Sequence, residues 1–92
     1  MIKNFRHKGL KQLFETGSRK GIEASLTRRL TIQLDALDAA RDVLDMNLPG
    51  FDLHELKGKR KGTWAVTVRA NWRLTFKFQS SDALDVDLED YH

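Results

Sequence analysis

Cysteine is absent from the chain, which removes disulfides, thiolate metal sites and a thiol nucleophile at once. Proline occurs once, as Pro49, between Asn47 and Gly50, and marks a single strong break in the pattern. No stretch approaches the ~18 consecutive apolar residues of a membrane-crossing helix. Met1-Ile2-Lys3-Asn4-Phe5-Arg6-His7 lacks the apolar run of a secretory leader. The expected compartment is therefore the cytoplasm, with no membrane partner. Internal repeats and low-complexity segments are also missing. Aromatic residues are few, at 9%, but numerous enough to argue against disorder.

What is present is one domain's worth of chain, residues 1–92, with 40% apolar and 32% charged residues. A chain of this size buries roughly 60–70% of its unfolded surface, so the core is modest and the surface heavily charged. The formal charge is +3 and the isoelectric point about 9.5. That balance is compatible with a polyanionic partner but does not by itself demand one.

Apolar spacing divides the chain into a helical half and a strand half. Ile2 and Phe5 suit a short first strand. Leu10, Leu13 and Phe14 fall at i, i+3 and i+4 and mark a helix of about two turns, with Gly17 as its terminating residue. Leu26, Leu30, Leu34, Leu37 and Leu44 predict a second amphipathic helix starting near Ala24 or Ser25, with Arg28, Arg29, Gln33 and Asp38 on its outer face. Phe51 to Leu56 is a candidate strand. Beyond it Trp64, Val66 and Val68, then Trp72, Leu74, Phe76 and Phe78, then Leu84, Val86 and Leu88 each alternate with polar or small residues. Period-two alternation describes an antiparallel sheet with one face on the core and the other toward water. The two helices must cover the apolar face, and both tryptophans fall on it.

Matching apolar residues across strands sets a register, because a slip of one residue would turn every side chain to the wrong face. Val68 then opposes Trp72 and Val66 opposes Leu74, with Arg69-Ala70-Asn71 as the loop and Asn71 at its left-handed position. On the other side Phe76 meets Val86, Leu74 meets Leu88 and Trp72 meets Asp90. Tyr91 and His92 lie just beyond, close to Arg73.

Three polar clusters are candidates for chemistry. Lys57-Gly58-Lys59-Arg60-Lys61-Gly62 places four cations at a hairpin tip. It reads either as a grip on a phosphate backbone or as a solvated turn that blunts a sheet edge. Thr67, Arg73, Thr75 and Lys77 share the solvent face, with Arg69 nearby. These cations would serve a phosphate, or would form cross-strand pairs, Arg73 with Glu89 and Lys77 with Asp85. His54, Asp90, Tyr91 and His92 fit no recognisable zinc spacing. They suit acid–base cleavage of a phosphodiester, in which a base takes the 2′-OH proton and an acid protonates the leaving 5′ oxygen. The plain alternative is that each histidine is a surface residue with no role.

Leu53-His54-Glu55-Leu56-Lys57-Gly58, Trp64, Asn71-Trp72-Arg73-Leu74-Thr75-Phe76 and Glu89-Asp90-Tyr91-His92 together resemble the HigB branch of the RelE toxin superfamily. Ile2-Lys3-Asn4-Phe5, Lys8-Gly9-Leu10 and Met46-Asn47-Leu48-Pro49-Gly50 are similar as well, so the likeness spans essentially the whole chain. It implies an α+β, RelE-like fold, with two N-terminal helices packed on one face of a mainly antiparallel four- or five-stranded sheet. It implies the toxin of a type II toxin–antitoxin pair, a ribosome-dependent endonuclease that cuts messenger RNA in the A site through the RNA's own 2′-OH. No metal and no cofactor is expected. The partners implied are a HigA-like helix-turn-helix antitoxin, the ribosome with its RNA, and operator DNA reached only through the antitoxin. The implied catalytic set is His54, Lys57, Arg73, Asp90, Tyr91 and His92, with RNA contacts from Lys59, Arg60, Lys61, Arg69 and Asn71. The competing expectation is a catalytically inactive homologue that only binds antitoxin and acts as a co-repressor.

Overall fold

The computed structural model describes residues 1–91. Helix α1 spans Lys8–Thr16. His7 caps its start, with Nδ1 accepting the Leu10 N–H at 3.1 Å. Gly17 ends it at φ +75°, where its N–H bonds the Leu13 carbonyl. Helix α2 spans Ala24–Ala39 and buries Leu26, Leu30, Leu34 and Leu37 along one stripe. Leu44 is not part of that stripe. It sits in a one-turn 3₁₀ segment, Val43–Met46, and is 65% exposed, while Met46 takes the buried place.

Four strands follow, β1 His54–Glu55, β2 Thr63–Arg69, β3 Trp72–Gln79 and β4 Asp82–Asp90, paired antiparallel in chain order. The helices pack on the apolar face. Val66, Val68, Leu74, Phe76 and Val86 meet the helix leucines there, with Trp64 and Trp72 packed at its margin. The candidate strand from Phe51 shrinks to two residues because Asp52 turns the chain at φ +52°. Phe51 is held instead through its carbonyl, which accepts the Thr67 N–H at 2.7 Å.

Ile2 and Phe5 form isolated parallel bridges to Ala83 and Val86 rather than a full strand. Between them β4 bulges. Asp85 adopts φ +51° and exchanges hydrogen bonds with the Asn4 side chain, at 2.8 Å and 3.1 Å. The same bulge alters the expected β3–β4 register. Trp72↔Asp90, Arg73↔Glu89 and Leu74↔Leu88 pair as the apolar pattern requires, but Lys77 then faces Leu84. Phe76 thus meets the bulged Asp85-Val86 pair rather than Val86 alone. Beyond that point the faces exchange, so Ala83 is fully buried and Leu84 only partly.

A second irregularity shortens the preceding hairpin. Val66↔Leu74 holds, but Val68 is bulged and Arg69, not Val68, opposes Trp72. The connection is Ala70-Asn71, and the left-handed residue is Ala70 at φ +49° rather than Asn71. Gln33, expected on the outer face of α2, is completely buried. Its Nε2 donates to the Thr67 carbonyl at 2.8 Å, so it satisfies β2 where the bulge interrupts the ladder.

Two variants probe these joints. Gln33→Leu leaves the buried Thr67 carbonyl without its donor and puts a branched side chain in the place of a straight one, and should lower the unfolding free energy by about 1–3 kcal/mol in urea titrations. A Cβ on Gly9 would lie 2.9 Å from the His7 ring and 3.0 Å from the Gly21 carbonyl. Gly9→Ala should therefore displace the helix cap and cost a similar ~1–3 kcal/mol.

Candidate functional site

The sheet face away from the helices holds the site, and its floor is better covered than alternation alone requires. Ala65, Thr75 and Thr63 are 0%, 1% and 8% exposed, although Thr75 was expected in solvent. The cover comes from the basic connection after β1. Lys57 caps a one-turn 3₁₀ helix, Gly58–Arg60. The loop is fastened by the Gly62 N–H to Glu55 Oε2 at 2.9 Å and the Leu56 N–H to the Thr63 carbonyl at 2.8 Å.

From that loop Arg60 reaches over β2 and β3 to Glu89 on β4. Nη1 donates to Oε1 at 2.7 Å and Nη2 to Oε2 at 2.6 Å, a two-pronged pair. The Thr75 hydroxyl donates to the same Oε2 at 2.6 Å from below. The Arg60 hydrogen bond holds the Glu89 carboxyl below its ordinary range; burial opposes this, and the Thr75 hydroxyl and the Arg60 and Arg6 charges reinforce it. The same hydrogen bond raises the Arg60 guanidinium further. A cleft of about 230 Å³ opens beside the pair, with Arg6, Lys59, Lys61 and Lys77 among its walls.

Arg73 opposes Glu89 in the register but makes no ion pair with it. Arg60 occupies that carboxylate, and Arg73 Nη1 turns to the Ala70 and Trp72 carbonyls at 2.7 Å and 3.2 Å. Its guanidinium carbon then lies 5.8 Å from the centre of the Tyr91 ring, within cation–π range. The Tyr91 N–H bonds the Asn71 carbonyl at 2.8 Å, which ties the end of the chain to the β2–β3 turn. Lys77 still pairs with Asp85 at 3.8 Å, although the bulge sets Lys77 opposite Leu84 rather than opposite Asp85 as expected.

His54 shares this face at the opposite edge. It opposes Ala65, which opposes Thr75, which opposes Asp87. Three strand spacings separate the His54 and β4 backbones, roughly 14 Å. Its Nδ1 lies 3.0 Å from the Asp52 carbonyl, so Nε2 is the nitrogen directed outward. The structure thus joins Arg73 to Tyr91 and places His54 across the face from them. Asp90 pairs with Trp72 at the strand end, so alternation assigns it to the other parity. Lys57, Lys59, Arg60 and Lys61 are exposed on the loop, and Arg69 and Asn71 are exposed at the β2–β3 turn. His92 lies outside the described residues, as does its expected proximity to Arg73. The sequence placed Thr75 on the polar face and offered Glu89 as a partner for Arg73, but not their joint contact with Arg60. No periodic signal announces that a loop arginine will reach them.

The family model described as the RelE-like toxin of type II toxin–antitoxin system HigB matches residues 3–92. The chain is 49% identical over 92 residues to "Endoribonuclease HigB" of Proteus vulgaris, covering 100% of both chains. It is 32% identical over 91 residues to "Toxin HigB-1" of Vibrio cholerae serotype O1, covering 97% of this chain and 96% of the relative.

The depressed Glu89 carboxyl makes an acid-side prediction. A group lowered in the folded state stabilises above its unfolded pKa, and that contribution is lost as pH falls through the folded value. The unfolding free energy should drop as pH is taken below the ordinary carboxylate range, and less steeply in Glu89→Gln. At neutral pH Glu89→Gln should cost no more than about 1 kcal/mol, because the Arg60 side chain is 45% exposed. Chemical denaturation across a pH series reads both effects.

Proposed function

Because this chain belongs to the HigB-like family of RelE-like toxins of type II toxin–antitoxin systems, we propose that it is an endoribonuclease that cuts messenger RNA in the ribosomal A site. The observation that carries the reading is the composition of one sheet face. Arg73 and Tyr91 are stacked at one end, His54 stands at the other edge, and a basic loop overhangs the ground between. That span suits a nucleotide lying across the strands with its phosphate toward the cations.

The reaction this face would perform needs no group beyond the RNA and the protein's side chains. A base removes the 2′-OH proton and the 2′ oxygen bonds to the adjacent phosphorus. The bond from phosphorus to the 5′ oxygen breaks as an acid protonates that oxygen. The products are a 2′,3′-cyclic phosphate and a 5′-OH end. Lys57 and Arg73 stabilise charge on the phosphorane. Tyr91 holds the nucleotide, its ring already fixed against Arg73. His92 and His54 are the candidates for proton transfer. Asp90 orients an imidazole or positions the 2′-OH. Lys59, Arg60, Lys61, Arg69 and Asn71, exposed around the rim, contact ribosomal RNA or the message.

The partners follow from the same reading. A helix-turn-helix antitoxin of the HigA type restrains the toxin and carries it to operator DNA, which the toxin does not itself contact. No helix among the described residues is long and apolar enough to cross a membrane, and the proposed workplace is the cytoplasmic ribosome.

Programmed ribosomes with a defined message test the assignment through new 5′ ends. The chain should generate ends within codons. His92→Gln should slow their appearance by about 10²–10⁴-fold, and Arg73→Ala by about 10²–10³-fold. Unchanged ends at an unchanged rate in His92→Gln would remove His92 from proton transfer, and no ends from the unaltered chain would remove the activity.

A further inference from the structure

We propose that Glu89, itself set by Thr75, is a positioning residue that holds the Arg60 guanidinium on the polar sheet face as a binding group for an RNA phosphate. The proposal rests on the endoribonuclease reading for the identity of the ligand. It goes further in assigning work to three residues as one unit.

The arrangement is built from the inside outward. Thr75 lies on β3 and is 1% exposed, so its hydroxyl has a fixed place and one available task. That task is the 2.6 Å hydrogen bond to Glu89 Oε2. The carboxylate, 23% exposed, is thereby turned so that both oxygens meet the Arg60 fork. A guanidinium carries five N–H donors in one plane. Glu89 takes two, and no further hydrogen bond of Arg60 is present among the described residues. Donors therefore remain for a phosphate, on a side chain that is 45% exposed beside the cleft.

Position makes these donors relevant. Glu89 shares its transverse row with Arg73 and precedes Tyr91 by two residues on the same face. Arg60 is thus carried from a loop after β1 to the strand that bears Tyr91. It also lies within electrostatic reach of Tyr91 and Asp87. A long arginine in a glycine-flanked loop would otherwise sample many rotamers and would give up that freedom on binding. Glu89 removes the freedom in advance, as second-layer partners do for ligating groups.

Charge points the same way. Of the carboxylates on the cleft, Asp85 pairs with Lys77 and Glu89 with Arg60, whereas Asp87, among the described residues, accepts only the neutral Leu88 N–H and keeps its charge. Arg6, Lys59 and Lys61 make no ion pair within 4 Å among the described residues, and they outweigh Asp87, so the cleft is left positive. A purely structural role for the clasp is a poor account of it, since exposed ion pairs contribute little to stability. The loop has its own fastenings at Glu55 and Thr63.

A double-mutant cycle in purified toxin decides the matter, with two readouts. One is the rate of message cleavage on programmed ribosomes. The other is affinity of the free toxin for a single-stranded RNA oligonucleotide, titrated with salt. Arg60→Ala should weaken oligonucleotide binding and reduce the log–log salt slope by about 0.7, the signature of one lost phosphate contact on a single strand. Glu89→Gln should lower kcat/KM for cleavage by about tenfold, and Thr75→Val, which preserves every charge, by a few-fold. Both losses should vanish when Arg60→Ala is already present, because Glu89 and Thr75 act through Arg60. Glu89→Gln that cleaves and binds like the unaltered chain, or better, overturns the proposal. So does a Glu89→Gln loss that persists undiminished beside Arg60→Ala. If Glu89→Gln does not fold, the Thr75→Val and Arg60→Ala pair completes the same cycle. If the unaltered toxin yields no cleavage, the function reading fails alone, and the oligonucleotide cycle still decides this one.

Discussion

A sheet covered by helices on one side only is the constraint from which the rest of this molecule follows. Alternation along β2, β3 and β4 must deliver Val66, Leu74, Phe76, Val86 and Leu88 to the leucine stripe of α2. Every residue between them is then committed to the other face, whatever its chemistry. That face consequently collects Thr63, Thr67, Arg73, Thr75, Lys77, Asp87 and Glu89 within a small area. The polar surface is thus a by-product of core packing that has been furnished with reactive groups. The two bulges adjust the arrangement locally. One lets Thr67 be satisfied by Gln33, and the other lets Asn4 engage Asp85.

The polar face is organised by which carboxylate belongs to which cation. Simple cross-strand logic would give Glu89 to Arg73. The structure gives it to Arg60, because a guanidinium arriving from above can meet both oxygens, whereas Arg73 is drawn to two hairpin carbonyls and the Tyr91 ring. The result is that Arg73, which makes no ion pair with Glu89, lies beside the Tyr91 ring.

What could be read from the sequence was whatever repeats locally. The α2 stripe, the Gly17 stop and the Trp72↔Asp90 and Leu74↔Leu88 register all follow from periodicity and parity. Features that depend on one distant partner were not legible. Gln33 is a polar residue that periodicity puts outside, yet it is buried with its amide donating to the Thr67 carbonyl. Phe51 resembles a strand residue, yet Asp52 bends the chain beside it. Arg60 looks like one of four interchangeable cations until Glu89 and Thr75 distinguish it. Among the site residues, the motifs carried His54, Arg73 and Tyr91 to one face, whereas Asp90 falls on the parity of Trp72.

The pairing of the N-terminal segment with β4 has a temporal meaning. Ile2 bridges Ala83, and Asn4 clasps Asp85, some eighty residues further along the chain. The polar face likewise does not exist until β4 has joined β3. Contacts of such long sequence separation form late, since loop closure must precede any gain from them. A ribosome making this protein therefore carries two amphipathic helices and an unfinished sheet for most of synthesis, and the polar face is assembled only once the final strand is available. Whatever chemistry that face carries is in this way withheld from the nascent chain until its last strand has paired.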